Sequence, residues 1–405
     1  MLAEKIYLSF YIQVLIIIAF YILITGSYSG ELHSFLLDIS IFEVLILMIY
    51  SILSFVLLYY VYKIMVKKKL TLKSYKFRFN IKKFANFYFI LLIISFIFML
   101  STGVGVVLSH ATSPYSVIFN LFNVSVLFPI FYFLLRKSEY INIKYFWTIV
   151  IVFILYKLLQ GWSGIIFTIF IFEVYFYYKD RYINKIKQIV IILLLPLIFI
   201  LVGAKVYQEI YPIKNEIRGL GYHEIDYSNG LVKLVNRLTY FSISVGAYSK
   251  IDEIKEFYKK ENIVLKESIG TFRPITPRFI MENKEFRSLN NNVLQPFFND
   301  ITPYTSSDIG IIMYAVNLFN ASLLDGIVWI IILIIILFSS KFVYDNLSQY
   351  NGQFNFLFFI LILKICTTAS PEIIVGYYFF GILYFIPVLF ILGILKLKIR
   401  KQIAN

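Results

Sequence analysis

Cationic side chains are concentrated in one polar segment of a chain that is otherwise strongly apolar. The stretch RPITPRFIMENK, residues 273–284, contains Arg273, Arg278 and Lys284 together with two prolines. Proline disfavours helical geometry in the residue before it, so this stretch is predicted to be a stiff loop. An arginine presents a planar fork of donors that matches the oxygens of a phosphate group. The segment therefore predicts contact with an anionic group.

Three more arginines lie in the same region of the sequence: Arg218, Arg237 and Arg287. Arg237 falls on a predicted helix beside Leu234 and Leu238, on an apolar face. An arginine is costly in such a place unless an anion pairs with it. Attraction to lipid head groups, or a salt bridge with Glu282 or Glu285, is the alternative interpretation for any one arginine. Their concentration favours a ligand.

Charged residues inside predicted membrane spans are costly and are candidates for function. Lys157 lies about one helical turn from the outer surface, and Lys364 lies deeper, in LILKICTTASPE. Lys364 is predicted either to pair with Glu372 or to face a substrate cavity. His110 ends a predicted span as an interfacial anchor or a catalytic group. Three other charges near cytoplasmic span ends are interpreted as structural, because such side chains reach water: Lys63, Glu173 and Lys396.

The composition is that of a membrane protein. Of the 405 residues, 60% are hydrophobic and 15% are charged, whereas about a quarter are charged in soluble domains. Apolar runs long enough to cross a bilayer recur along the chain, which predicts an all-α multi-pass protein with about ten transmembrane helices. The first run has no cleavage site after it and is predicted to be retained. The predicted spans are 6–26, 41–65, 84–109, 117–135, 145–160, 161–178, 188–204, 323–341, 354–370 and 373–396.

The distribution of basic residues predicts the orientation of these spans. Four segments are densely basic: 63–83, 136–144, 179–187 and 396–401. Lys and Arg accumulate in cytoplasmic loops, and ten spans place all four segments in the cytoplasm together with both termini. This topology accounts for the net charge of +15, so nucleic acid is not predicted as a partner.

One large loop interrupts the series of spans on the extracytoplasmic side. The predicted organisation is N-terminal membrane helices, the large loop, and C-terminal membrane helices with a cytoplasmic tail, at residues 1–204, 205–322 and 323–405. Periodic stretches predict short loop helices at 229–249 and 251–262. The apolar stretch 308–319 is too short to cross and is predicted to lie at the interface.

The sequence lacks the motifs of several classes of chemistry. Cys366 is the only cysteine, so an intramolecular disulfide and a cysteine metal cluster are excluded. There are three histidines without an HExxH motif, and no protein-built metal site or cofactor is expected. No GxxxxGK[ST] motif is present, so ATP hydrolysis is not predicted. An apolar body with outward cations instead suggests a ligand with a lipid tail and a phosphate head.

The chain resembles the O-antigen or oligosaccharide repeat-unit polymerases of bacterial surface-polysaccharide synthesis. TPRFIMENK (276–284) resembles their Pro-Arg-aromatic stretch followed by a lysine, and residues 306–333 resemble their short outer helix and the following span. QGWSGIIF (160–167) resembles the turn joining two spans before the large loop. Relatives often have an arginine in that turn, whereas Trp162 and Ser163 occupy it here.

The resemblance implies an enzyme of the bacterial inner membrane with its large loop in the periplasm. Such polymerases transfer a growing glycan from undecaprenyl diphosphate to the non-reducing end of a new lipid-linked unit. They are membrane-embedded glycosyltransferases of the GT-C type and act without a metal or cofactor. The implied partners are the undecaprenyl-diphosphate-linked oligosaccharide and membrane lipid, and the resemblance also allows for a chain-length regulator protein.

The resemblance also gives the polar residues roles. Arg278 and Arg273 are expected to stabilise the leaving diphosphate, with Arg237 and Lys284 in support. Further substrate-binding candidates are Arg218, Arg287, His223, Lys364, Tyr304 and Tyr314, of which the two tyrosines would stack on or hydrogen-bond to sugars. The attacking hydroxyl needs a base, and the sequence does not choose among Asp308, Glu224, Asp226, His223 and His110. Asp308 is counted among the residues expected to be catalytic.

Two other functions remain open at this point. An O-antigen ligase has a similar topology and depends on a histidine as well as arginines in its outer loop, where His223 lies. A repeat-unit flippase or other transporter would have a dozen or more spans in related halves, a charged central pathway and short outer loops. The single large late loop disfavours the transporter, and a non-enzymatic scaffold is a further alternative.

Overall fold

The computed structural model describes most of the chain. The described residues are 2–72, 75–106, 111, 113–115, 119, 122–162, 164–179, 181–217, 221–260, 263, 265–272, 288–298, 307–347, 354–374 and 380–399. Almost all described secondary structure is helical, which agrees with the predicted all-α class.

Among the described residues, seven apolar helices precede the large loop, and each overlaps a predicted span. They are α1 (Leu2–Thr25), α2 (Ile41–Lys67), α3 (Ile81–Thr102), α4 (Val124–Leu135), α5 (Ile143–Leu159), α6 (Gly164–Tyr178) and α7 (Lys185–Ile217). A 3₁₀ turn, Gly30–Leu32, lies between α1 and α2. Their ends follow local sequence signals. Ser40 and Glu43 form a reciprocal capping box at the start of α2, and Gly103 ends α3 in the left-handed conformation.

Six helices follow within the large loop, and four more complete the described chain. The loop helices are α8 (Tyr227–Leu238), α9 (Phe241–Ser249), α10 (Ile251–Lys260), α11 (Lys266–Phe272), α12 (Leu289–Asn292) and α13 (Gly310–Ala321). The final helices are α14 (Leu323–Leu347), α15 (Asn355–Thr368), α16 (Pro371–Ile374) and α17 (Phe380–Ile391).

Length and apolarity mark the chain as a helical membrane protein. Among the described residues, five helices are long and apolar enough to cross a membrane, namely α1, α2, α3, α7 and α14. Shorter apolar helices accompany them, including α4, α6, α13 and α15. Helix α15 packs on α2, α13 and α14, and nearly all its side chains are buried, so it is part of the central core.

Two predicted boundaries differ from the structure in ways that matter for the large loop. Helix α7 continues past residue 204 to Ile217, because Lys205 and Glu209 form an ion pair one turn apart while Tyr207 is buried. The helix predicted over 229–249 is two helices. Thr239 between them is extended, and its hydroxyl accepts a hydrogen bond from the Phe241 amide at 3.1 Å.

A small antiparallel sheet is an addition to the predicted all-α class. Strand β1 (Tyr75–Phe79) pairs with β2 (Leu395–Ile399) in the register Tyr75 to Ile399. Both sequences, YKFRF and LKLKI, alternate apolar and basic residues with the period of a strand. The last predicted span therefore ends at Ile391, and Lys396 lies in a strand.

Two of the charges interpreted as structural are held in ion pairs between helices. Lys63 on α2 lies 2.8 Å from Glu4 of α1. Arg136 donates to Glu173 of α6 through Nε at 2.7 Å and through a terminal nitrogen at 2.9 Å. The Tyr132 hydroxyl donates to the same carboxylate. Lys63 and Glu173 are thus paired with charged residues of neighbouring segments, and their structural interpretation stays a prediction.

Replacing Glu173 with glutamine should destabilise the protein, because Arg136 would keep its charge in a partly buried site without a carboxylate. The expected loss is on the order of 1–3 kcal/mol, visible as a lower thermal unfolding temperature of the detergent-purified protein. Glu209→Gln is the matched control, since its pair with Lys205 is exposed on both sides. That variant should lose less than about 0.5 kcal/mol. Equal losses in the two variants would contradict the interpretation.

Candidate functional site

A cavity of about 950 Å³ lies beside α1 and is the candidate site. Its wall also includes residues of α6, α7, α8, α9 and α15, the turn at residues 29–33, Trp162, and Ser307 with Asp308. The lining runs along α1 from Tyr21 to Tyr7, a separation of about 21 Å along the helix axis. The cavity therefore extends from the helices of the large loop to a position deep between the apolar helices.

Tyrosine side chains form much of the cavity wall. Those that line it include Tyr7, Tyr11, Tyr207, Tyr211 and Tyr240. The hydroxyls of Tyr7 and Tyr11 lie 3.4 Å apart on successive turns of α1. An aromatic ring offers an apolar face and, in tyrosine, a polar edge. Such a wall suits a ligand with both ring-shaped polar parts and apolar parts.

An ion pair in the cavity wall joins the large loop to a buried helix. Lys364 Nζ on α15 donates to Asp308 Oδ2 at 3.0 Å, and Asp308 lies in the extended stretch just before α13. The two side chains are 32% and 36% exposed, so both remain accessible from the cavity. The described pairing of Lys364 is thus with Asp308, and the side chain of Glu372 lies outside the described residues.

A second carboxylate and an imidazole come from the turn between α1 and α2. The Ser307 hydroxyl, next to Asp308 in the chain, donates a hydrogen bond to the Glu31 carboxylate. His33 Nδ1 lies 3.0 Å from the Gly30 carbonyl oxygen. A carbonyl only accepts, so Nδ1 carries the proton, and Nε2 of the neutral ring is left as an acceptor. Glu31 and His33 both line the cavity.

Hydrogen bonds to α9 hold this turn in place. The Ser29 amide donates to Ser242 Oγ at 2.8 Å, and the Ser242 hydroxyl donates to the Ser29 carbonyl at 2.9 Å. Both serines are almost fully buried. Gly30 has a φ of 68°, a left-handed conformation that a residue with a side chain rarely adopts. The position of Glu31 and His33 therefore depends on α9.

Asp38, further along the connection between α1 and α2, adds to the attachment of this turn to α9. Asp38 accepts hydrogen bonds from Tyr28 and pairs with Lys250 at the end of α9, at 3.4 Å. Burial acts to raise the pKa of the Asp38 carboxyl, but hydrogen bonds from Tyr28, Ser249 and Lys250 outweigh it and hold that pKa below its usual value. The contribution of Asp38 to stability is thus present at neutral pH and decreases as the pH falls through the lowered pKa.

Replacing Ser242 with alanine should loosen the turn, because the Ser29 amide and carbonyl would lose their partner in a buried place. The expected cost is about 1–3 kcal/mol, measured by thermal unfolding of the purified protein. Ser228→Ala is the control, since its hydroxyl bonds to Asp226 at an exposed helix start. If Ser242→Ala were as stable as the control, the turn would be held by other contacts.

Several predicted site residues lie outside the described part of the chain. They are Arg218, Arg273, Arg278, Lys284, Arg287, Tyr304 and His110. Arg237 is in α8, whose backbone is described, but its side chain is outside the described set. Two nearby residues of α8, Lys233 and Asn236, line the cavity. Helix α8 therefore contributes to the site, while the contacts of Arg237 stay a prediction.

The other predicted residues divide between the cavity and positions away from it. Asp308 and Lys364 are brought together in the wall. Tyr314 is fully buried on α13, where its ring stacks on Trp329 and its hydroxyl donates to Glu267. It does not line the cavity. His223 lies exposed in the segment before α8, away from the cavity lining.

The remaining described candidates for a base also lie away from the cavity. Glu224 is exposed in the segment before α8. Asp226 caps α8 by accepting from the Asn229 amide at 2.7 Å, and these backbone hydrogen bonds lower the pKa of its carboxyl. Among the described members of the predicted base set, Asp308 is the one that lines the cavity.

The structure adds three polar residues that the sequence prediction missed. Glu31 and His33 lie two positions apart in GELHS, and an acid beside a histidine in a short outer loop was the available signal. Lys233 lies on the polar side of α8, with Nζ 5.0 Å from the centre of the Tyr211 ring. Its position depends on the packing of α8 against α7, which local sequence does not show.

Together these groups suit proton transfer and the binding of an anion. Asp308, Glu31 and the His33 ring offer acceptors for a hydroxyl proton, and Lys364 and Lys233 offer positive charge. Within the described residues, no group of three or more His, Cys, Asp or Glu side chains could hold a metal ion. No family model matches the chain, and neither the curated proteins nor the solved structures contain a match.

Proposed function

We propose that this chain is a glycosyltransferase of the bacterial inner membrane that polymerises lipid-linked oligosaccharide repeat units on the periplasmic side. The observation that carries the proposal is the elongated cavity, which joins an Asp308–Lys364 ion pair to a tyrosine-lined space between apolar helices. Its volume of about 950 Å³ is at the upper end of small-molecule sites and suits a segment of several sugar rings.

The proposal includes ten spans with both termini in the cytoplasm and the large loop outside. The β1–β2 sheet supports this topology, because two paired strands must lie on the same side of the membrane. Eight of the proposed spans lie between the strands, and an even number of crossings returns the chain to its original side. Both strands are basic, which agrees with a cytoplasmic position.

In the proposed reaction the acceptor hydroxyl attacks the anomeric carbon of the donor glycan. The bond from that carbon to the diphosphate oxygen breaks, and the diphosphate leaves with the bonding electrons. Asp308 takes the hydroxyl proton, because its carboxylate lies in the cavity wall. Lys364 orients that carboxylate through the 3.0 Å hydrogen bond.

Cations are proposed to stabilise the charge of the leaving diphosphate without a metal or cofactor. Lys233 is a described cation of the cavity wall that is suited to this role. The resemblance assigns the same role to Arg278 and Arg273, with Arg237 and Lys284 in support. The lipid tail of the undecaprenyl diphosphate would lie along the apolar helices, and the GT-C assignment rests on the resemblance.

Deleting the gene in its host and examining the surface polysaccharide on a gel tests this function. A polymerase predicts that the ladder of chain lengths is lost while a single repeat unit remains attached to lipid A core. Complete loss of the polysaccharide with accumulation of lipid-linked polymer would identify a ligase instead. Accumulation of repeat units on the cytoplasmic face would identify a transporter and overturn the proposal.

A further inference from the structure

A second pocket, of about 490 Å³, lies at the N-terminal end of α1. Four cations from separate parts of the chain line it: Lys5 of α1, Lys63 of α2, and Lys179 and Arg181 from the connection between α6 and α7. The other lining residues are Leu2, Tyr59, Tyr178, Ile183 and Gln188. This pocket is separate from the candidate site, although α1, α6 and α7 contribute to both.

The pocket carries more positive than negative charge. Lys63 is paired with Glu4, whose carboxylate is almost fully buried and also accepts from the Tyr62 hydroxyl. Lys5 and Arg181 have no acidic partner among the described residues, and both are exposed. Arg181 packs its guanidinium against the Tyr177 ring at 3.8 Å. The described lining of the pocket therefore contains four cations and no carboxylate, and the carboxylate that pairs with Lys63 is buried.

Topology alone does not explain this arrangement. The preference for basic residues in cytoplasmic loops requires only that cations lie on one side of the membrane. Here they converge on a common space from two helices and one connection, although like charges repel and would separate on a free surface. An anion bound among them removes that repulsion. Ammonium and guanidinium groups are the usual ligands of phosphate.

The surroundings favour a phosphate that belongs to a lipid. The first turns of α7, directly after the pocket, expose the apolar side chains of Ile186, Ile189, Val190 and Leu193. An acyl chain attached to a phosphate in the pocket would therefore continue along an apolar surface. Basic pockets between membrane helices on the cytoplasmic side are known to hold anionic lipid head groups.

We propose that the pocket lined by Lys5, Lys63, Lys179 and Arg181 binds the phosphate of an anionic phospholipid of the inner leaflet. The bound lipid would connect α1 and α2 to the connection between α6 and α7. Helices α1, α6 and α7 also form part of the candidate site, so the lipid stabilises the arrangement that builds that cavity. The assignment to the inner leaflet rests on the proposed topology, whereas the binding itself does not depend on the proposed reaction.

The experiment compares lipids and a soluble phosphate on the purified full-length chain. Thermal unfolding in detergent is followed during titration with phosphatidylglycerol, with phosphatidylcholine, or with inorganic pyrophosphate. The test variant is the double substitution Lys5→Gln and Arg181→Gln, at two exposed positions. The control is Lys82→Gln with Lys83→Gln, which removes two exposed charges from the start of α3, away from the pocket.

Phosphatidylglycerol should raise the unfolding temperature of the wild type and the control, whereas phosphatidylcholine and pyrophosphate should not. The test variant should bind phosphatidylglycerol at least about tenfold more weakly, since each removed cation contributes roughly a factor of five. Equal affinity in the two variants, or no response in the wild type, would overturn the proposal. Stabilisation by pyrophosphate that depends on Lys5 and Arg181 would overturn the assignment of a lipid ligand and identify a soluble phosphate ligand instead.

Discussion

Asp308→Asn should reduce polymer formation by roughly 10²–10⁴-fold, the usual contribution of a catalytic base. Asparagine keeps the shape of the side chain and can still accept from Lys364, but it cannot take the proton of an attacking hydroxyl. The measurement is transfer of labelled glycan between lipid-linked units by the purified protein, with protein amounts matched. The ladder formed in a complemented deletion strain gives a second reading.

Asp345→Asn is the matched control for this substitution. Asp345 also accepts a hydrogen bond from a lysine, Lys341, and lies near the end of α14, away from the cavity. Both variants lose a charge from an ion pair, and the Lys341–Asp345 pair is the more buried, so the control should lose at least as much stability as Asp308→Asn. Activity of Asp308→Asn within about threefold of the control would exclude Asp308 as the base and favour Glu31 or His33.

Gly310→Ala should be the most damaging single-methyl change in the described structure near the site. Gly310 begins α13 with a φ of 72°, and a Cβ there would lie 2.2 Å from Cε2 of the Tyr240 ring. Tyr240 is buried and lines the cavity, so its ring cannot move without changing the wall. Left-handed geometry and overpacking together should cost about 2–5 kcal/mol.

Gly393→Ala separates these two causes. Gly393 has a φ of 62°, but no atom lies within 4 Å of the position that its Cβ would take. This variant should therefore lose only about 1–2 kcal/mol, the backbone part of the cost. Unfolding temperature and polymerisation are measured for both variants. Similar effects at the two positions would mean that the Tyr240 ring adapts and that its placement is not critical.

The positions of the helices were largely predictable from the sequence, because apolar length and periodicity are local properties. The helix at 251–260 lies where periodicity predicted one, and the helix at 310–321 overlaps the apolar stretch 308–319, which was predicted to lie at the interface. The break at Thr239 was missed, since it depends on how α9 packs against α1 and α13 rather than on a proline or glycine.

The candidate site was predicted only in part, because its groups come from distant parts of the chain. Lys364 was recognised from the high cost of a charge in a span, but its nearest acid in sequence, Glu372, was the expected partner. Asp308, 56 positions away, forms the described pair. Glu31, from the other end of the chain, is joined to the site by the hydrogen bond that it accepts from Ser307. Such pairings depend on the tertiary arrangement of helices, which periodicity does not specify.

The pairing of β1 with β2 also sets an order of events during synthesis. Residues 75–79 leave the ribosome early, but their partner at 395–399 follows only after most of the chain has been made. Until then β1 has an unpaired edge, and the lysine and arginine in its sequence oppose premature association with other chains. Completion of this sheet is therefore a late step in biogenesis, and a chain shortened before Leu395 would lack the strand that pairs with residues 75–79.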